Sequence, residues 1–158
     1  KNSYNLIEID TPIKKKNFIN FCNSSEKLII KNIKNKRLNI TSLNYKDILS
    51  SLIMVEFYEA AAEVLNSLDV KKFSISEHVS LNYLRSEIYI RGERYSLAVD
   101  ILEDSIVSMA LLEEERLIFL YLLGVCLARQ GDTKKAKAIF KKVESIRPNY
   151  RGVRRLLT

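Results

Sequence analysis

The sequence has few of the residues on which many small folds and active sites depend. Its 158 residues include two cysteines, two prolines, four glycines, one histidine and no tryptophan. Two cysteines cannot form a disulfide framework, and the scarcity of glycine and proline argues against a loop-rich all-β fold. A single histidine argues against a metal site and against a histidine-based catalytic centre. We therefore expect no metal, no cofactor, no small-molecule substrate and no enzymatic activity.

Long apolar runs are also missing. The longest, residues 117–128, is bounded by Arg116 and Arg129, and a membrane span needs roughly 20 apolar residues. We expect this run to be a core-forming helix of a soluble domain. Because the chain begins with Lys1 rather than Met, we expect any initiator, targeting segment or anchor to lie outside it. The sequence does not indicate a cellular compartment.

The formal net charge of +7 is unevenly distributed. Residues 1–47, 48–115 and 116–158 carry net charges of +6, −8 and +9. Basic ends around an acidic middle make the overall charge a poor guide to the partner.

The first 40 residues differ in pattern from the rest. Thr11 and Pro12 are typical of a helix start, and a short apolar face follows as far as about Cys22. The β-branched residues 28–40 surround Asn35-Lys36, which permits either a hairpin or an irregular wrap. We predict that residues 1–40 form a capping segment of mixed structure, separate from a repeat domain at 41–158.

From residue 41 onward the pattern is helical and repeats every 38 residues. Within each unit a small alanine lies four residues before a bulky residue, the spacing of one helix face. Breaks at 55–56, 92–93 and 131–132 divide the three units into helices at about 42–54, 57–68, 78–91, 95–110, 115–130 and 133–146. Four series keep the period: Ala60, Ala98 and Ala136; Tyr45, Tyr83 and Tyr121; Leu43, Leu81 and Phe119; Val64, Leu102 and Phe140.

The third unit has bulky and small residues at characteristic spacings, namely Leu120, Leu123, Gly124, Leu127, Gly131-Asp132, Ala136, Phe140 and Pro148. This pattern resembles the tetratricopeptide repeat over residues 117–150, and the second unit is similar but looser. Gly124 and Ala136 would let the paired helices approach closely, and Phe140 would fill the space between hairpins. The resemblance implies an all-α, right-handed superhelical solenoid of three hairpins. Its repeats would span about 41–78, 79–116 and 117–150, followed by the start of a capping helix.

The resemblance also implies a function. Tetratricopeptide repeats are non-enzymatic scaffolds, so we expect another protein or peptide as partner, held in a concave groove. The three tyrosines of the 38-residue series would line that groove or pack between neighbouring first helices. The family's clamp for a carboxyl terminus needs Asn where Val125 and Leu49 stand, so a chaperone-tail receptor is not expected. The same wall would include Leu49, Leu52, Ile53, Glu87, Ile90, Arg91, Val125 and Arg129.

An alternative function rests on the basic carboxyl-terminal third, which could bind RNA or lie peripherally on an anionic membrane surface. Its candidate residues are Lys134, Lys141, Arg147, Arg151, Arg154 and Arg155. Tyr150 is the one aromatic residue after position 146, whereas stacking on bases needs several, which argues against nucleic acid. A solvated helix face explains the same charges.

The cysteines and the histidine have structural interpretations. Cys126 lies in an apolar run and is expected to be a buried thiol, with a disulfide to Cys22 as the alternative. His78 is expected near a helix start and in contact with solvent.

Overall fold

The computed structural model describes residues 12–157, with side chains from residue 20 onward. Every regular element in that range is helical. Single 3-10 turns lie at Val70–Lys72 and Tyr150–Gly152. The helices are α1 (Pro12–Lys34), α2 (Tyr45–Met54), α3 (Tyr58–Ser67), α4 (Ile75–Arg91), α5 (Tyr95–Ser108), α6 (Glu113–Arg129), α7 (Thr133–Ile146) and α8 (Arg154–Leu157).

Six of these helices form the three predicted hairpins, α2–α3, α4–α5 and α6–α7. Within and between hairpins, each helix packs against the one that follows it. Two buried apolar clusters result, one from α1 to α4 and the other from α4 to the last residues described. Helix α4 contributes to both, with Leu81 and Ile88 in the first and Val79 in the second. The all-α class and the three hairpins are therefore confirmed.

All three hairpin turns have the same backbone geometry. A residue with positive φ ends the first helix of each hairpin: Glu56 (60°), Glu93 (57°) and Gly131 (85°). The N–H of that residue donates to the carbonyl three residues earlier, and the next N–H donates to the carbonyl five residues earlier. This pair of bonds is the Schellman motif, which satisfies carbonyls at a helix end. The predicted breaks are confirmed.

Two of the four 38-residue series are columns of fully buried residues, whereas the tyrosine series is buried only at Tyr45. The alanines at 60, 98 and 136 are at most 2% exposed, as are Val64, Leu102 and Phe140. Leu43, however, is 91% exposed, whereas its counterparts Leu81 and Phe119 are buried. The helix predicted at about 42–54 begins later, at Tyr45, so Leu43 lies before α2.

The expected hairpin or irregular wrap over residues 28–40 was also wrong. Helix α1 continues to Lys34, because Ile29, Ile30 and Ile33 form one helical face that packs against α3 and joins the buried cluster of α2 and α3. Burial of that face outweighs the preference of β-branched residues for strands. The turn signal at Asn35-Lys36 ends the helix: Lys36 has a φ of 54° and the same Schellman bonds. Among the described residues, none of the helices is long and apolar enough to cross a membrane.

Candidate functional site

Helix α4 carries the first group of predicted site residues, and its start is firmly capped. The Ser74 N–H donates to the Glu77 carboxylate at 2.7 Å, and the Glu77 N–H donates to Ser74 Oγ at 3.4 Å. The two bonds form a capping box, and the bonds that the Glu77 carboxylate accepts from the Ser74 N–H and hydroxyl lower the pKa of Glu77. Beside it, His78 lies at the helix start and its Nε2 is 2.7 Å from the carbonyl of Val70.

Tyr83, Glu87 and Arg91 lie four residues apart and therefore share one side of α4. The Tyr83 hydroxyl donates to Glu87 Oε1 at 3.2 Å, and Arg91 Nε lies 3.8 Å from Glu87 Oε2. Partial burial, followed by the negative charge of Glu87, raises the pKa of Tyr83. The tyrosine therefore stays protonated and can donate a hydrogen bond over the whole physiological pH range.

Tyr121, Val125 and Arg129 lie in the same way along α6. Tyr121 and Val125 are half-buried, whereas Arg129 is exposed and has no ion pair with any residue that the structure describes. The Tyr121 ring lies edge-on to Tyr150, with 6.0 Å between the centroids. We call the surface formed by Tyr83, Glu87, Arg91, Tyr121, Val125 and Arg129 the tyrosine face.

An apolar slot opens between α4 and α6 at the tyrosine face. It has a volume of about 320 Å³ and includes Tyr83 in its wall. The Tyr83 and Phe119 rings are 6.5 Å apart, so an aromatic pair joins the two helices at the slot. The cavity can hold one or two apolar side chains. Its remaining wall consists of Val79, Ser80, Leu84, Glu115 and Ile118.

The first hairpin does not contribute a comparable surface. Tyr45 is only 6% exposed, and its ring packs edge-on against Phe73 at 5.9 Å. Phe73 comes from the link between α3 and α4 and covers Tyr45. Leu49 and Leu52, expected on the same wall, are buried in the core as well. For this hairpin the structure therefore favours packing over groove lining.

The residues after α7 turn back onto the tyrosine face. Arg151 places its guanidinium over the rings of Tyr121 (5.5 Å) and Tyr150 (5.6 Å). Asn149 and Arg151 both have positive φ, at 56° and 45°, in a tight turn that includes the 3-10 segment. Two strained residues in one turn cost free energy, and the stacking of Arg151 on two aromatic rings offsets part of it.

Two arginines of the predicted basic patch are held in ion pairs. Arg147 pairs with Glu113 at 3.2 Å and with Glu114, and the Glu114 contact in particular raises the pKa of Arg147. Arg154 Nε lies 2.6 Å from Glu144, whose pKa is lowered chiefly by that bond.

The remaining cations of the patch do not share one environment. Lys134 and Lys141 are exposed on α7, and Arg155 is exposed but has an interaction of its own. Much of the positive charge at this end therefore serves contacts within the chain.

Among the residues described, no cluster of His, Cys, Asp and Glu could hold a metal ion. Both cysteines are free thiols. Cys126 is fully buried as expected, and burial raises its pKa to about 11. A thiol with that pKa is not a nucleophile at neutral pH.

A known family accounts for the third hairpin. The tetratricopeptide repeat family matches residues 118–150, which cover α7 and most of α6. This segment is a tetratricopeptide repeat, and the resemblance seen in the sequence is confirmed there. Repeats of this family are in general protein–protein interaction modules. No curated protein and no solved structure matches the chain.

Sequence reasoning missed the slot and the contact of Arg151 with the tyrosines. One available signal was Ile118, which lies three residues before Tyr121 and so shares its helix side. The sequence placed Arg151 in the basic patch, but no signal pointed to its contact with the tyrosines, because the turn that carries it follows the last repeat helix.

Proposed function

We propose that this chain is a non-enzymatic protein–protein interaction module that binds a peptide segment of a partner at the tyrosine face. One observation carries the proposal: an apolar slot lies beside half-buried tyrosines on adjacent first helices. Tyrosine combines a large apolar area with a hydroxyl and is enriched where proteins recognise each other. The tetratricopeptide repeat at residues 118–150 supports the same class of function.

The tyrosine face has the chemistry of a peptide groove along its whole length. The slot supplies apolar contact, and the hydrogen-bonded Tyr83–Glu87 pair supplies polar contact further along α4. Arg91 and Arg129 lie at the carboxyl-terminal ends of α4 and α6, where exposed cations can meet acidic side chains. Apolar anchors with a polar rim are typical of peptide sites.

We also propose that residues 1–40 cap the repeat domain at 41–158. The support is that α1 packs against α3 and contributes Ile33 to the same buried cluster as α2 and α3. A repeat array needs such cover at its ends, because a terminal hairpin has a neighbour on one side only.

A selection of peptides from a displayed random library against the whole chain tests the binding site. Selected peptides should lose affinity for Tyr83→Ala and Arg129→Glu. They should keep it for Lys134→Glu and Lys141→Glu, which change charge on exposed α7 positions. Circular dichroism confirms that each variant is folded. Peptides that depend on the α7 lysines and ignore Tyr83 and Arg129 would contradict the proposal.

The same set of variants tests the alternative partners, RNA and an anionic membrane surface. Either would be weakened by the α7 variants and by moderate salt, since such binding depends on many phosphate contacts. The ion pairs of Arg147 and Arg154 leave fewer free cations for these contacts. For this reason we prefer the peptide site.

A further inference from the structure

Arg151 is an unusual cation among the arginines near the tyrosine face. Its guanidinium is stacked on Tyr121 and Tyr150, and the side chain is exposed. It makes no hydrogen bond or ion pair with any residue in the described part of the chain. Arg147 and Arg154, by contrast, are held by carboxylates. The rings of Tyr121 and Tyr150 therefore orient the Arg151 guanidinium, while its N–H donors stay free.

Stacking of this kind prepares an arginine for a carboxylate. The planar guanidinium presents its donors at its edge, and the fork they form matches the two oxygens of a carboxylate. Because the rings already fix the plane, less side-chain entropy is lost when the anion binds.

The position of Arg151 links it to the slot. Tyr83 forms part of the slot wall, and the positive charge of Arg151 acts on the Tyr83 hydroxyl, partly opposing the rise in its pKa. Tyr121, under the guanidinium, lies on α6 three residues beyond Ile118 of the slot. A short peptide can therefore reach both the slot and Arg151.

We infer that the partner segment is an acidic peptide, which places an apolar side chain in the slot between α4 and α6 and a nearby carboxylate on Arg151. This inference rests on the proposed function and adds the chemistry of the partner to it. The site differs from the family's Lys/Asn clamp, because its cation comes from the turn after the last repeat helix.

The surroundings favour a peptide over a phosphate backbone. Glu115 lies in the slot wall, and Glu87 is hydrogen-bonded to Tyr83. These two carboxylates would repel a dense row of phosphates but leave room for a single carboxylate at Arg151. The apolar slot would in addition gain nothing from a phosphate.

The experiment uses the whole isotope-labelled chain and two capped hexapeptides followed by NMR. One peptide has a single glutamate between phenylalanine and leucine, and the other has glutamine in its place. The glutamate peptide should shift amide signals of α4 and α6 and bind about tenfold more tightly than the glutamine peptide. This preference should disappear in Arg151→Gln and should persist in Lys134→Gln, which removes a charge from α7 instead.

A second variant tests the slot. Ile118→Ser should weaken both peptides equally and leave the preference for glutamate intact, because Ile118 lines the slot. Equal binding of the two peptides at α4 and α6 would overturn the acidic partner while leaving the proposed function standing. Shifts confined to α7, or none at millimolar peptide, would overturn both. A glutamate preference that survives Arg151→Gln would overturn the assignment to Arg151.

Discussion

The aromatic ring of Phe140 lies directly against the backbone of Gly124, so that a Cβ on Gly124 would overlap three atoms of the ring. Phe140 is on α7 and Gly124 is on α6, and both are buried. The ring thus occupies the space that a side chain at 124 would need, and this is where α6 and α7 approach closely. The contact lies within the third hairpin, whereas the sequence suggested that Phe140 fills the space between hairpins.

Gly124→Ala should destabilise the chain by about 1–3 kcal/mol, because the added methyl group forces the Phe140 ring to move within a packed core. For a chain of this size, each kcal/mol lowers the melting temperature by roughly 2–4 °C. Thermal unfolding followed by circular dichroism measures the change.

The double variant Gly124→Ala/Phe140→Leu provides the control, since a smaller side chain at 140 makes room for the methyl group. The double variant should lose less free energy of unfolding than the sum of the losses of the two single variants. Additive losses would mean that the methyl group does not meet the ring.

The hairpins could be predicted from the sequence because their signals are local. Gly131 and the turns at Glu56 and Glu93 interrupt a regular helical pattern, and the alanine columns repeat with a fixed period. Helix α1 could not be predicted in full. The isoleucines of its second half are helical because they are buried against neighbouring helices. The local sequence does not reveal that burial.

The candidate site could be predicted only in part, because the period gives the helix face but not what covers it. Tyr83 and Tyr121 lie at the surface, whereas Tyr45 at the same register is covered by Phe73. That cover depends on the path of the link between α3 and α4. The slot likewise depends on the distance between α4 and α6, which follows from packing of the whole chain.

Glu93→Gly should stabilise the chain by about 0.5–1 kcal/mol. Glu93 has a φ of 57°, a conformation that costs free energy for any residue with a Cβ and little for glycine. Gly131 has the corresponding position in the third hairpin, so Gly131→Ala should destabilise by a similar amount.

Glu103→Gly is the matched control for the Glu93 variant, because Glu103 is exposed within the regular helix α5. There the same chemical change should destabilise by about 1 kcal/mol. Urea unfolding of the three variants gives the values. Destabilisation by Glu93→Gly would contradict the role assigned to the turn.

Glu26→Ala should destabilise the chain by about 1–2 kcal/mol, the usual loss for a helix cap. Glu26 lies on α1, but its Oε1 accepts from the N–H groups of Glu59 and Ala60 at 2.9 and 3.1 Å. It therefore caps α3, whose own N-cap residue, Phe57, provides no side-chain bond. Glu26→Gln, which keeps an acceptor oxygen, should lose less.

The exposed neighbour Lys27 gives the control, since Lys27→Ala removes a side chain from α1 without touching α3. It should leave the urea midpoint almost unchanged. Equal effects of Glu26→Ala and Lys27→Ala would rule out the cap.

Cys126 should resist alkylation in the folded chain. Its thiol should also lower the free energy of unfolding in alkaline solution. Its pKa is raised from 9.0 to about 11, chiefly by burial. Between those two values the unfolded chain has already released the thiol proton while the folded chain still holds it. Unfolding therefore releases a proton, and stability decreases as pH rises from about 9 towards 11. Below pH 9 the thiol contributes no pH dependence.

Iodoacetamide at pH 8, followed by mass spectrometry, should modify Cys22, which is partly exposed, well before Cys126. Urea unfolding should bring the two rates together. Cys126→Ala removes the titrating group, so its stability should fall less steeply than that of the parent chain between pH 9 and 11, although it starts lower because a buried side chain is truncated. An unchanged slope in Cys126→Ala would mean that other groups, and not this thiol, produce the alkaline loss.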